Sequence, residues 1–131
     1  MHNYFVYNIF MKNENVVQNK SKSFAIRIVK LYQFLATTQN EYILSKQLLR
    51  SGTSIGANVK EAIRAQTKPD FHAKICIALK EASETEYWLE LLFETNYINE
   101  KQFQSINADC TELLKLLVSI AKTTKESISN S

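Results

Sequence analysis

Ser51, Ser54, Asn58 and Glu61 follow one another at steps of three, four and three. On a helix this spacing gathers two hydroxyls, an amide and a carboxylate into one polar stripe. A serine nucleophile would need a base within hydrogen-bond reach. Neither serine has a histidine at helical spacing, because the chain's histidines are His2 and His72. A small-ligand site would need a cleft above the stripe. A structural polar network needs only partners such as Arg50 or a residue of the next helix. Desolvating a lone carboxylate is costly, so pairing inside a network is the expected role. Its expected members are Ser51, Ser54, Asn58, Glu61 and Glu86, the last lying within an otherwise apolar stripe of its own helix.

Metal and cofactor chemistry finds no support. His72 is followed at helical spacing by Ile75 and Cys76 rather than by acids. The paired Glu-x-x-His motifs of di-iron bundles do not occur. Cys76 and Cys110 lack metal-ligand spacing and are expected as two buried thiols of a reducing cytoplasm. There is no phosphate loop and no dinucleotide fingerprint. No catalytic residue, metal or cofactor is assigned.

Charge points elsewhere. The net balance of +3 is mild, but it is unevenly spread. Between Leu44 and Lys80 seven cations face only Glu61 and Asp70, and acids dominate immediately after Lys80. Lys46, Arg50, Lys60, Arg64, Lys68 and Lys74 are therefore the candidates for contacting an RNA or DNA backbone. No aromatic residue interleaves the cations of the second helix, Lys46 to Arg64, so stacking of bases is not suggested. The alternative is a solvated basic face on a scaffold that binds another protein.

The elements that must position these residues are helical. The chain has 131 residues, the size of one domain, with only two glycines and one proline to break helices. Phe24, Ile28, Leu31 and Leu35 predict a first helix over 23–38. Leu44, Leu48, Gly52, Ile55, Val59 and Ala62 predict a second over 41–65, with Gly52 and Gly56 letting a neighbouring helix approach closely. Thr67, Pro69 and Asp70 read as a helix start, and the third helix runs to about Thr95. Its stripe is Phe71, Ile75, Ala78, Ala82, Leu89 and Phe93, while Ile77, Trp88 and Leu91 lie on another side and predict contact with a second copy of the chain. Asn99 and Gln102 offer a capping box to a fourth helix, whose Phe103, Ile106, Cys110, Leu113, Leu117, Ile120 and Thr124 form a heptad seam.

The expected architecture is an all-α, antiparallel, up-down-up-down four-helix bundle over residues 23–125. Residues 1–22 are expected as a flexible or extension segment and 126–131 as a frayed tail. The aromatic run within 1–11 is too short to span a membrane, which takes roughly 20 apolar residues. It also lacks the features of a signal peptide, so a cytoplasmic protein without a membrane role is expected. Residues 1–10 read either as an upstream extension or as an apolar arm that docks on a neighbouring subunit.

The run Leu48-Leu49-Arg50-Ser51-Gly52-Thr53-Ser54-Ile55-Gly56-Ala57-Asn58-Val59-Lys60-Glu61-Ala62 resembles the signature of the bacterial four helix bundle protein family, the ribosomal-RNA intervening-sequence proteins. Asp70-Phe71, Ile77-Ala78-Leu79-Lys80-Glu81-Ala82 and Glu86-Tyr87-Trp88-Leu89 extend the resemblance, which covers roughly Phe24 to Thr124. Many relatives carry Glu-Gly where this chain has Glu61-Ala62. The resemblance implies a homo-oligomer, with a ring-like pentamer favoured. It also implies an association with insertions in large-subunit ribosomal RNA genes. A similar bundle, the accessory protein of diversity-generating retroelements, is a basic pentamer that binds nucleic acid and a reverse transcriptase. The family carries no enzymatic activity to transfer.

Overall fold

The computed structural model describes the backbone of residues 2–130 and the side chains of residues 15–130. Four helices account for nearly all of it: α1 (His2–Thr37), α2 (Leu44–Ile63), α3 (Lys68–Glu94) and α4 (Glu100–Ser129). Each packs on its neighbours in a closed cycle, α1 on α2, α2 on α3, α3 on α4 and α4 back on α1. Partners run in opposite directions. Ile28 meets Gly52 while Ser21 meets Gly56; Ser51 meets Thr85 while Glu61 meets Lys74. Phe93 stacks on Phe103 at 4.6 Å while Lys68 reaches Ser127, and Arg27 holds Asp109 while Lys20 holds Glu112. The bundle is thus antiparallel throughout, as the short turns require.

The core is the set of stripes read from the sequence. Phe24, Ile28 and Leu35 meet Leu48, Ile55 and Val59, then Ile75, Ala78 and Leu89, then Cys110, Leu113, Leu117 and Ile120. Each large side chain removed from water contributes roughly 1.5–3 kcal/mol. Gly52 sets the spacing of α1 and α2. A Cβ there would stand 2.8 Å from both Cγ atoms of the fully buried Ile28.

Two expected boundaries are corrected. Residues 1–22 are not a lead-in to the bundle: α1 is helical from His2. Val17 and Ser21 are buried, at positions that extend the Phe24–Ile28–Leu35 stripe backwards by two turns. The proposed docking of residues 1–10 as an arm concerns side chains outside the described residues. The frayed tail expected at 126–131 is likewise helical to Ser129, because Ser127 is buried and accepts a 3.0 Å hydrogen bond from Lys68 Nζ.

The helix ends follow local chemistry. With no glycine available, Asn40 and Asn96 take the left-handed conformation after α1 and α3, at φ 53° and 69°. Glu41 N then donates to Leu35 O at 2.9 Å, and Tyr97 N to Leu92 O at 2.9 Å, closing both helix ends. Thr67 accepts from Asp70 N, and Asn99 and Gln102 form the capping box as expected. The start of α2 depends on Glu41. Its carboxylate accepts from the backbone N–H groups of Ile43, Leu44 and Ser45 at 3.0, 2.8 and 2.7 Å. Burial opposes ionisation of Glu41, but these N–H groups together with the Ser45 hydroxyl outweigh it and hold the pKa below the ordinary glutamate value.

A carboxyl with a lowered folded-state pKa stabilises the fold above its unfolded value and loses that contribution as pH falls through the folded value. Glu41→Gln is therefore expected to cost about 1 kcal/mol at neutral pH. The gap to the wild type should close below the ordinary glutamate pKa of about 4.3. Denaturant melts at neutral and acid pH measure this; a gap that is independent of pH contradicts it.

Candidate nucleic-acid interface

Helix α2 presents three sides. Its core side is the Leu48–Gly52–Ile55–Val59 stripe. The polar stripe turns toward α3. Ser51 is fully buried with its Oγ 2.9 Å from that of Thr85, and Thr85 Oγ1 lies 2.8 Å from Glu81 O. Each hydroxyl has one proton. If Thr85 donates to the Glu81 carbonyl, Ser51 is the donor between the two hydroxyls. Ser54 donates to Arg50 O, and Asn58 Nδ2 to Ser54 O at 2.8 Å. Glu61 lies 3.8 Å from Lys74 Nζ and is largely exposed.

The network therefore differs from expectation in one member. Thr85, not Glu86, meets Ser51. Position 85 follows Ala82 and precedes Leu89 on the buried side, whereas Glu86 is rotated toward α4 and half-buried. There the charges of Glu86 and Glu90 add to the chief effect of burial in pushing the Cys110 thiol up to about 12. Cys110 is the inert buried thiol that was expected, but Cys76 is exposed. Its Sγ lies 3.4 Å from His72 Nε2, and His72 Nδ1 lies 3.1 Å from Thr124 Oγ1. Among the described residues no three His, Cys, Asp or Glu side chains gather as a metal site, and no helix is long and apolar enough to cross a membrane.

The six candidate cations divide equally. Arg50 is bound to α3, with NH1 3.3 Å from Glu81 Oε2 and NH2 on Glu84. The bond from Arg50 lowers the Glu84 pKa against the effect of burial, with Trp88 Nε1 also donating to this carboxylate. Lys68 is bound to Ser127, and Lys74 faces Glu61. These three serve the bundle. Lys46, Lys60 and Arg64 are exposed on the outer side of α2 and form no ion pair within the described residues. Lys22 on the exposed side of α1 adds to this surface, across a groove it shares with Lys60. Lys22 was not among the sequence candidates. The signal for Lys22 was the continuation of the α1 stripe through Ser21 and Val17, which places it on a helix.

On α3, Ile77 is 41% exposed, while Trp88 and Leu91 are half-buried. Tyr87 packs edge-on against Trp88 at 5.1 Å and is itself exposed. The second apolar side of α3 thus reaches the surface.

Residues 13–119 match the sequence model of a family described as 23S rRNA-intervening sequence protein. A crystal structure of a protein of unknown function from the S23 ribosomal protein family of Bacteroides thetaiotaomicron VPI-5482 is similar at a TM-score of 0.83 and 61% identity. The match covers 84% of this chain and 98% of that one. No curated protein matches the chain.

If the buried hydroxyl pair is structural, Ser51→Ala should cost about 1 kcal/mol in a denaturant melt, since Thr85 keeps its bond to Glu81 O. Retention of nucleic acid by the folded variant should be unchanged; weaker binding would return the stripe to a functional role.

Proposed function

The chain belongs to the 23S rRNA-intervening sequence protein family, and on that premise we propose that it is a non-enzymatic, self-assembling bundle that binds RNA or DNA. The observation that carries this reading is the set of cations on the outer side of α2 that have no carboxylate partner among the described residues: Lys46, Lys60 and Arg64. Lys22 of α1 extends it. Here Glu81 and Glu84 of α3 are engaged by Arg50, and Lys46, Lys60 and Arg64 remain available to phosphate. Binding of this kind follows the backbone rather than the bases, and RNA and DNA compete for the same side chains.

Assembly is supported by the second apolar side of α3. Ile77, Trp88 and Leu91 form a strip that a second copy would cover, and a pentamer is the favoured state. A protein partner of another kind is a second reading, favoured by Tyr42 and Ile43, which stand 53% and 77% exposed in the turn between α1 and α2. Ser51–Glu61 is not assigned a ligand, because its groups are engaged within α2 or against α3.

The triple variant Lys46→Ala, Lys60→Ala, Arg64→Ala should reduce retention of a labelled oligonucleotide and flatten its salt dependence. The expected change is about 0.7–0.9 in the log–log slope for each phosphate that is no longer neutralised. Equal retention by variant and wild type, in fluorescence anisotropy across a salt series, would remove the nucleic-acid reading in favour of a protein scaffold. Separately, Ile77→Glu should shift the light-scattering mass toward a single protomer. A wild type that is already monomeric at micromolar concentration counts against assembly.

A further inference from the structure

Where α1 and α2 draw together over Gly56, their outer edges leave a groove of about 640 Å³. Its floor is small, with Gly56 and Ala57 from α2. A Cβ on Gly56 would lie 3.4 Å from the Ser21 carbonyl, so the floor rises little above the helix backbones. Lys22 stands on the α1 side and Lys60 on the α2 side, and no carboxylate lines the groove. The Ser21 and Thr53 hydroxyls are committed to the carbonyls of Gln18 and Leu49, at 3.1 and 2.7 Å. The side-chain donors left for a ligand are the two ammonium groups and the amides of Gln18 and Asn19.

We propose that this groove seats one phosphate group of a bound nucleic-acid strand between Lys22 and Lys60. The proposal rests on the nucleic-acid reading above and gives it a place. Two cations from different helices bracket a concave floor that only small side chains leave open, which suits a compact, multiply accepting anion. The comparable depression between α1 and α4 is lined by Lys20, Asp109 and Glu112, and its charges are already paired, Lys20 with Glu112 and Asp109 with Arg27, so among the described residues it offers a polyanion no free cation. The groove is therefore the point at which the strand is held in position, while Lys46 and Arg64 guide the flanking backbone.

The test measures anisotropy of a labelled single-stranded oligonucleotide across a salt series, with the full chain throughout. Lys22→Ala with Lys60→Ala should weaken binding about tenfold and lower the salt slope by about 0.7, the share of one single-strand phosphate. Ala57→Leu keeps every charge and fills the floor from an exposed helix position where leucine is well tolerated. It should weaken binding about as much. If Ala57→Leu binds like the wild type while Lys46→Ala with Arg64→Ala still weakens retention, the groove proposal is overturned and the nucleic-acid reading stands. If the wild type retains no oligonucleotide, both fall. Saturable binding of inorganic phosphate at fixed ionic strength, abolished in Ala57→Leu but without oligonucleotide binding, would overturn the assignment to a nucleic-acid strand.

Discussion

The distance between α1 and α2 is the constraint on which the rest of the molecule depends. Gly52 faces Ile28 so closely that no side chain fits between them. With the axes held at that spacing, Leu48, Ile55 and Val59 reach the core formed by Phe24 and Leu35. The same rotation of α2 turns Ser51 toward Thr85 and leaves Lys46, Lys60 and Arg64 pointing outward. A residue with a Cβ at position 52 would move α2 relative to both neighbours, so packing and surface charge are set by one close approach.

Charge in this bundle is sorted by position. Arg50, Lys68 and Lys74 sit at the edges between helices, where acids or hydroxyls of the next helix meet them. Such exposed pairs contribute little to stability, but they neutralise the seams. Cations on the middle of the outer side have no carboxylate partner among the described residues. The polarity that survives on the surface is thus what remains after the seams are satisfied. A count of the six lysines and arginines from Lys46 to Lys74 that the sequence singles out overstates it twofold.

The apolar stripes of all four helices could be read from the residues alone, because burial leaves a periodic mark that polar chemistry does not. Where the mark is weak, the reading stops. Residues 12–22 carry two apolar side chains, the exposed Val16 and the buried Val17, among polar groups, so periodicity did not reveal the helix. Ser127 is buried by a lysine from another helix, a contact no local pattern encodes. Thr85 and Glu86 are adjacent, and one position of rotation decides which meets Ser51; an ideal 100° step does not resolve that over the length of α3. The family resemblance singled out the Leu48–Ala62 run. It did not separate Arg50, which is tied to α3, from Lys60, which is exposed on the outer side.

The cyclic order of the helices also shapes how the fold is reached. Three of its four seams join helices that follow one another along the chain, across turns of a few residues. Only the seam between α1 and α4 joins distant segments, through Arg27 with Asp109 and Ser105, and Lys20 with Glu112. Local pairing dominates, and chains of that kind fold quickly because little loop entropy is lost before contacts form. The α1–α4 seam is the closing step, and its half-exposed ion pairs make it the edge most responsive to ionic strength.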